Sequence, residues 1–231
     1  MSTYNSYSEQ KGWTVDFSCA EPDRLYFQAE FSGIDLKGKK ILELGFGNGS
    51  FMAYARENGA EVFGIEIQPD NVVKARAAGY NAFETLDELQ SNHPVSFDMA
   101  VAFDVFEHLS HDLIHTTLTS LHGLLKVGGV LILRTPNGQS PFGRRTQYGD
   151  ATHLSVITPK KMEQICFGKG LEVIGVGNQA RVFSPGGLHY ALVKRLQFLA
   201  RDFCNALISN IYGMGTTVLD ENIVIRIRKT E

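Results

Sequence analysis

Residues 41–50 read I-L-E-L-G-F-G-N-G-S, an apolar segment that runs into a turn rich in glycine. Gly45, Gly47 and Gly49 permit backbone angles closed to other residues, and they let a ligand approach the main chain closely. Glu66 follows Gly45 by 21 residues, at the end of the next apolar segment. A carboxylate at that place suits a bidentate grip on two ribose hydroxyls. The pattern therefore predicts a ligand that contains adenosine: a dinucleotide, a nucleotide or S-adenosylmethionine.

Glu43 adds a second carboxyl group, two residues before the first glycine. Buried beside the turn, this group could fix the loop by accepting backbone N–H bonds, or it could attract a cationic ligand. A dinucleotide-binding dehydrogenase would carry a third glycine at position 50, where this chain has Ser50. An NAD(P)-dependent oxidoreductase is therefore the less favoured interpretation of the same turn.

The elements that must position these residues alternate between strand and helix. This alternation implies a parallel sheet with right-handed crossovers, whose ligands bind at the carboxyl ends of the strands. The strands are nearly continuous apolar runs, as expected when helices cover both faces of the sheet. The pattern predicts strands over 40–44, 61–67, 80–83, 98–103 and 130–134, and helices over 21–33, 51–58, 69–78 and 111–125.

Beyond residue 134 the alternation ends. Residues 135–157 have no clear period and predict a long loop, after which Thr158 and Pro159 predict the start of a helix. A strand over 171–176, a helical segment over 188–209 and a final strand over 222–228 follow. We expect the apolar stripe of the helical segment to pack in the core, with a lid, a dimer face or a membrane-surface helix as alternatives. The stripe comprises Leu188, Leu192, Leu196, Leu199, Phe203 and Leu207.

Length and composition limit the classes of protein to which this chain can belong. The 231 residues are 43% hydrophobic and 20% charged, with a net charge of −3 and no long basic run, which disfavours nucleic acid as a partner. Three distant cysteines without C-x-x-C spacing fit free thiols in a reducing compartment. No apolar run reaches the ~20 residues that span a membrane, and the N-terminus lacks an apolar signal core. We therefore expect a cytoplasmic protein without a transmembrane segment.

Four segments, in this order, resemble the class I S-adenosylmethionine-dependent methyltransferases: L-E-L-G-F-G-N-G at 42–49, V-F-G-I-E at 62–66, F-D-M-A-V-A-F-D-V-F-E-H-L at 97–109 and L-L-K-V-G-G-V-L-I-L at 124–133. The E-H-L element and the K-V-G-G turn have no counterpart in the dehydrogenase pattern. The resemblance implies a doubly wound, Rossmann-like α/β fold: a seven-stranded, mostly parallel sheet with an antiparallel last strand and helices on both faces.

The resemblance also organises the chain, which we expect to form a single domain over 1–231. The similar part, roughly 35–176, would be the cofactor-binding core. The remaining parts would be an N-terminal cap segment at 1–34 with Trp13 and Phe17 as candidate anchors, a helical insertion at 177–221 and the final strand at 222–231.

S-adenosylmethionine is the cofactor that the resemblance implies. The glycines of the turn would pass under its methionine part, Glu66 would hold the ribose, and Ile67 and Phe83 would lie at the adenine. Phe103 and Asp104 would line the methionine end. The full set of implied cofactor-binding residues is Glu43, Gly45, Gly47, Gly49, Glu66, Ile67, Phe83, Phe103 and Asp104.

His153 and His108 are the candidate catalytic residues. Methyl transfer to a hydroxyl also needs a base that takes the hydroxyl proton, an effect of about 10²–10⁴-fold. Similar methyltransferases of small molecules and sugars carry a T-H element where this chain has Thr152 and His153, so we expect His153 to act directly, ahead of His108. The candidate acceptor-binding residues are Tyr148 and Asp150, which could orient the base or contact the acceptor, and Arg144, which could meet an anionic acceptor.

A metal site is not expected. His111, His115 and His122 share one side of the helix over 111–125, but leucines lie among them and no cysteine or carboxylate cluster completes a ligand set.

We predict a methyltransferase that moves a methyl group to a small acceptor, with a hydroxyl of a sugar or glycan precursor as the leading choice. The insertion, with the P-N-G and G-D-A-T-H elements, looks like methyltransferases of bacterial polysaccharide pathways. O- or N-methylation of another small metabolite is the alternative, followed by the oxidoreductase and by a partner protein that binds the cofactor without turnover. A homodimer is compatible with the sequence.

Overall fold

The computed structural model describes residues 15–92, 97–182, 188–213 and 218–231. Seven strands form one sheet in the order β3-β2-β1-β4-β5-β7-β6. Strand β7 runs antiparallel to its neighbours β5 and β6, whereas the pairs formed among β1 to β5 are parallel. The predicted mostly parallel sheet with an antiparallel last strand is confirmed. The strands are β1 (Lys40–Leu44), β2 (Glu61–Ile65), β3 (Asn81–Phe83), β4 (Phe97–Phe103), β5 (Leu125–Pro136), β6 (Leu171–Asn178) and β7 (Asn222–Lys229).

The helices begin where the sequence supplies caps. The Ser110 hydroxyl accepts the N–H of Leu113 at the start of one helix, and Thr158 accepts that of Lys161 at the start of another, as predicted. The described helices are α1 (Glu21–Glu30), α2 (Ser50–Glu57), α3 (Pro69–Ala77), α4 (Leu86–Asn92), α5 (His111–Leu124), α6 (Arg144–Tyr148), α7 (Pro159–Cys166) and α8 (Leu188–Ile211), with one 3₁₀ turn at Phe106–His108.

Apolar side chains cover both faces of the sheet. Because neighbouring residues of a strand point to opposite faces, Leu42 and Leu44 of β1 pack in one buried cluster with Leu118 of α5. Ile41 of the same strand packs in the other cluster with Phe51 of α2. Burying one such side chain contributes about 1.5–3 kcal/mol, so the two clusters hold the strand ends in fixed positions.

The chain reverses its direction of travel across the sheet at β1, which lies between β2 and β4. The last residue of β1, Leu44, is in register with Ile65 of β2 and Ala102 of β4. The residues that follow these three strands therefore meet at one edge, in the crevice where open α/β sheets bind their ligands.

Three elements differ from the sequence prediction, because each is too short or too polar for a periodic signal. The 3₁₀ turn and α4 were not expected, and α6 interrupts the long loop predicted over 135–157. The start of α4 does carry a local signature, T-L-D-E at 85–88. The Thr85 hydroxyl accepts the N–H of Glu88 at 3.1 Å, as in a capping box.

The expected core packing of the α8 stripe is wrong. Helical spacing shows that a helix has an apolar face, but it does not show which face meets the body. Helix α8 turns Phe198, Ile208 and Ser209 toward the protein instead. Along the described residues no helix combines the length and hydrophobicity needed to cross a membrane. The exposed stripe side chains are Leu192, Leu196, Leu199, Phe203 and Leu207, with exposed fractions of 47–69%.

Candidate active site

The glycine turn links β1 to α2 through backbone conformations that favour glycine. Gly45, Gly47 and Gly49 have φ angles of 66°, 53° and 80°, and the N–H of Gly45 donates to the carbonyl of Ile65 at 2.7 Å. A Cβ atom at position 49 would lie 2.2 Å from Cδ1 of Phe17. Gly45 and Gly47 line the crevice, where a Cβ atom at position 45 would lie 2.7 Å from Cγ2 of Val105, whereas Gly49 makes room for Phe17.

A cavity of about 740 Å³ lies at the carboxyl ends of β1, β2 and β4, within the size range of ligand sites. Of the residues expected at the cofactor or the acceptor, those that line it are Glu43, Gly45, Gly47, Glu66, Ile67, Phe103, Asp104 and His108. Residues that sequence reasoning missed also line it, chiefly Tyr26, Thr85, Leu86, Asp87, Leu113, Thr116 and Arg134.

Two expected cofactor residues do not line this cavity. Phe83 is only 7% exposed, and its side chain packs in the buried cluster that contains Leu44. Side chains along a strand point to alternate faces, and that of Phe83 points away from the crevice. Thr85, Leu86 and Asp87, at the start of α4, line the corresponding side instead. The capping-box signature at 85–88 is the sequence signal that could have identified them. Gly49 also lies outside the lining, because Phe17 occupies the space beside it.

Glu66 fixes the glycine turn from the end of β2. Its carboxylate accepts the N–H of Gly47 at 3.0 Å and that of Gln68 at 3.1 Å. Burial raises the pKa of Glu66, and these N–H bonds oppose that rise. A carboxylate can accept about four hydrogen bonds, so after these two bonds it can still accept hydrogen bonds from a ligand.

Glu43 accepts a backbone N–H bond from Met52, at the start of α2, and the loop-fixing role that its position suggested stays a prediction. Its Oε2 atom is buried, and within the described ranges no hydrogen-bond partner reaches it. Burial first, and then the charge of Glu66, raises the pKa of Glu43 well above its usual range. A buried carboxyl group with a raised pKa and an incompletely bonded oxygen therefore lies in the wall of the cavity.

Asp104 and Arg134 form an ion pair at the end of β4 and β5. Asp104 adopts a φ of 57°, which is unusual for a residue other than glycine. Nε of Arg134 donates to Oδ1 of Asp104 at 3.1 Å, and Nη2 of Arg134 donates to Oδ2 of Asp104. The guanidinium carbon lies 4.8 Å from the ring centre of Tyr26. The charge that Asp104 presents to the cavity is therefore balanced by its own partner.

His108 lines the cavity, and its tautomer follows from its contacts. Nδ1 lies 3.3 Å from the carbonyl oxygen of Thr152 and 3.0 Å from the Thr152 hydroxyl. A carbonyl oxygen can only accept, so Nδ1 carries the proton, and a neutral imidazole then has its lone pair on Nε2. The hydroxyl in turn donates to Oδ1 of Asp150 at 2.5 Å. Burial, followed by the proximity of His153, lowers the pKa of His108.

His153 lies behind His108 and does not line the cavity. Its Nδ1 donates to the carbonyl of Gln147 at 3.0 Å, and its ring centre is 4.6 Å from that of His108. Two expected acceptor residues, Arg144 and Tyr148, line a separate cavity of about 360 Å³. The structure thus separates the side chains that the sequence grouped around one acceptor.

Main-chain bonds tie the loop that carries His153 to the 3₁₀ turn. The carbonyl oxygen of Glu107 accepts the N–H groups of Leu154 and Ser155 at 2.8 and 2.9 Å. The Glu107 side chain is buried and accepts the hydroxyl of Thr135 at 3.1 Å. Burial, with a contribution from the nearby Asp104, raises the pKa of Glu107 to about 8.

One group of possible metal ligands occurs among the described residues: atoms of Glu107, His108 and His153 lie within 4.8 Å of one another. Three protein donors are enough for a catalytic zinc site but not for a structural one, and Nδ1 of each histidine is already bonded. On α5 the ring centres of His111 and His115 lie 4.7 Å apart, and His122 Nε2 bonds the carbonyl of Glu231 at 2.8 Å. The absence of a resident metal stays a prediction.

Comparisons with known proteins bear on the family and the fold of this chain. A family model described as a methyltransferase domain matches residues 22–176. A ubiquinone biosynthesis O-methyltransferase of Azoarcus sp. is 25% identical over 185 residues, which cover 72% of this chain and 75% of that enzyme. The enzyme of the same name from Klebsiella pneumoniae strain 342 is 31% identical over 179 residues, 73% and 72% of the two chains. The crystal structure of a SAM-dependent methyltransferase from Archaeoglobus fulgidus shares the fold, with a TM-score of 0.65, 16% identity and coverage of 99% and 100%.

Proposed function

This chain belongs to the class I S-adenosylmethionine-dependent methyltransferases, and on that premise we propose that it methylates a hydroxyl of a small acceptor bound beside His108. S-adenosylmethionine is its cofactor and, when bound, supplies an electrophilic methyl group. The observation that carries the proposal is the position of His108 at the cavity, with Nδ1 bonded to the carbonyl oxygen and hydroxyl of Thr152.

The residues of the crevice fit the cofactor. Gly45 and Gly47 let it approach the main chain, and the remaining acceptor positions of Glu66 suit the ribose hydroxyls. The buried carboxyl of Glu43 has an atom without a partner in the described part of the chain, which a bound cofactor would satisfy. Ile67 and Leu86 supply apolar surface for the adenine.

His108 is the base in this proposal. Its lone pair is on Nε2 when the ring is neutral, and its lowered pKa keeps the ring neutral at pH 7. It would take the proton of the acceptor hydroxyl as the oxygen attacks the methyl group. The remaining task of the chain is to hold the acceptor oxygen in line and to exclude water.

Thr152 positions this base. Its hydroxyl donates to Asp150 and therefore turns an oxygen lone pair toward His108 Nδ1. Its carbonyl oxygen supports the same proton. Thr152 of the T-H element thus orients His108 of the E-H-L element. The ring of His153 packs against the ring of His108.

A hydroxyl acceptor is supported by two observations. The relatives named above are O-methyltransferases, and the site offers a histidine base. Apolar side chains of Tyr26, Phe103 and Leu113 share the cavity wall with the hydroxyls of Thr116 and Thr117. We propose a phenolic acceptor first, and a sugar or glycan precursor second because of those hydroxyls.

The test has a binding step and an activity step. Isothermal titration should show S-adenosylhomocysteine binding and little NAD binding; the reverse would favour the oxidoreductase. Turnover is then measured as S-adenosylhomocysteine release with matched panels of phenols, glycosides and amines. Release with amines alone would exclude the hydroxyl acceptor, and no release with any panel would favour a binding protein without turnover.

A matched pair of variants assigns the base. His108→Gln should lower kcat by about 10²–10⁴-fold while the affinity for S-adenosylhomocysteine changes little. His153→Gln should have a smaller effect, because that ring does not line the cavity. A larger loss in His153→Gln than in His108→Gln would return the role to His153.

A further inference from the structure

A second cavity lies beyond the carboxyl end of β5, apart from the cofactor crevice. Its volume is about 360 Å³, within the size range of sites that hold small ligands. Residues 137–141 form one wall, and Arg144, Gln147 and Tyr148 of α6 form another. The two cavities have no lining residue in common within the described ranges. None of these α6 side chains takes part in the proposed methyl transfer.

The wall formed by residues 137–141 is held by bonds to the segment that precedes β7. The side-chain amide of Asn137 donates to two carbonyls of residues 218–220 at 2.9 and 3.0 Å, and the Ser140 hydroxyl donates to a third at 2.6 Å. Both side chains are buried. The cavity therefore has a preformed wall, which lowers the cost of binding a ligand because the wall is already ordered.

Gln147 brings an unpaired hydrogen-bond acceptor to the wall of the cavity. The residue is 4% exposed, and its Nε2 donates to the carbonyl of Ser155 at 3.2 Å. Because a carbonyl can only accept, that bond shows which side-chain atom is the nitrogen. The other atom, Oε1, has no hydrogen-bond partner in the part of the chain that the structure describes. Buried polar groups are paired almost throughout folded proteins, so this oxygen marks a place for a ligand hydroxyl.

The charge of the cavity is positive. Arg144 is exposed, and across residues 15–92, 97–182, 188–213 and 218–231 it forms no ion pair. No aspartate or glutamate of these ranges lines the cavity, although the chain as a whole has a net charge of −3. A guanidinium group binds phosphate or carboxylate through two parallel hydrogen bonds. The Tyr148 hydroxyl can donate a further bond to such an anion.

We propose that this cavity binds a small anion that carries hydroxyl groups, of the class of a phosphorylated sugar or polyol. Arg144 holds the anionic group, and Oε1 of Gln147 accepts a hydroxyl of the same molecule. An anion without hydroxyls leaves Oε1 unpaired, and a neutral polyol leaves Arg144 unpaired. The ligand is distinct from the methyl acceptor, because His108 lines the other cavity.

The experiment is a titration of the isotope-labelled full chain, followed by the chemical shifts of its backbone amides. Glycerol 3-phosphate is the probe, and sulfate and glycerol are titrated separately because each supplies one half of it. We expect saturable shifts at residues 137–148 and a Kd about three- to tenfold below that of sulfate, the effect of one added hydrogen bond. No saturable shift at these residues, or equal affinities for the probe and sulfate, would overturn the proposal.

Saturating S-adenosylhomocysteine distinguishes the two cavities. Because they share no lining residue among those described, glycerol 3-phosphate should keep its affinity when S-adenosylhomocysteine is present. Displacement of the probe by S-adenosylhomocysteine would place the probe in the cofactor crevice and refute the proposal.

Variants assign the two contacts. Arg144→Gln should weaken the binding of glycerol 3-phosphate and of sulfate by about tenfold or more. Arg145→Gln, at the adjacent exposed arginine that does not line the cavity, is the matched control and should bind as the wild type does. Gln147→Leu should remove the preference for glycerol 3-phosphate over sulfate and leave the affinity for sulfate, a change that a general loss of structure does not produce. Equal losses in both arginine variants, or an unaltered preference in Gln147→Leu, would contradict these assignments.

Discussion

Glu107 carries a buried proton that makes the stability of the protein depend on pH. The side chain is 1% exposed, and its pKa of about 8 compares with 4.5 for an ordinary glutamate. At pH 7 the carboxyl is therefore protonated in the folded protein and ionised in the unfolded chain. Replacing it with glutamine keeps the shape and the acceptor for the Thr135 hydroxyl, but removes the proton.

The sign of the effect follows from counting protons. Between pH 4.5 and 8 the folded state binds more protons at this site than the unfolded state, so the free energy of unfolding falls as pH rises. One proton contributes at most about 1.4 kcal/mol per pH unit. From pH 5.5 to 7.5 the wild type should therefore lose roughly 2–3 kcal/mol that Glu107→Gln does not lose.

Urea unfolding at pH 5.5, 6.5 and 7.5, with a chelator present, measures this difference. The raised pKa values of Glu43 and Glu66 act in both proteins and cancel in the comparison. Glu61→Gln, at an exposed glutamate of β2, is the control and should follow the wild type. Parallel curves for the wild type and Glu107→Gln would show that the Glu107 carboxyl is ionised in the fold, and would refute the reasoning.

Three further predictions concern the site and the turn. Glu66→Ala should weaken S-adenosylhomocysteine binding by roughly 10–100-fold in isothermal titration, because it removes charge-assisted bonds worth about 1.5–3 kcal/mol; unchanged affinity would remove Glu66 from the ribose role. Thr152→Val should lower kcat about tenfold with little change in cofactor affinity, and Thr152→Ser should restore the rate; a fully active valine variant would contradict the positioning role. Gly49→Ala should lower thermal stability more than Gly79→Ala, since both have positive φ but only the former places Cβ against Phe17; equal losses would mean that the contact yields freely.

The fold was largely predictable because its signals are local. Strand β1 has the predicted bounds, and the helix cap at Thr158 lies where the sequence placed it. The strand, turn and helix around Gly45 bring the cofactor residues together through short-range geometry. Glu66 arrives at the same edge because β1 and β2 are parallel and in register.

The acceptor side was less predictable because it depends on contacts between distant residues. The Thr152–His108 contact joins residues 44 positions apart, and the pairing of Asp104 with Arg134 spans 30. Neither contact leaves a periodic pattern. Sequence reasoning therefore favoured His153, whereas the cavity is lined by His108. The exposure of the α8 stripe was missed for a related reason: a helical period does not show which face meets the body.

The main-chain bonds from Leu154 and Ser155 to the carbonyl of Glu107 have a consequence for how this enzyme can diverge. Because backbone atoms hold the loop against the 3₁₀ turn, the attachment does not require any particular side chain at those two loop positions. Mutations at Leu154, whose side chain is exposed, can accumulate, or be introduced in a library, without displacing Thr152 from His108. The surface of this loop can thus vary while His108 keeps its contact with Thr152.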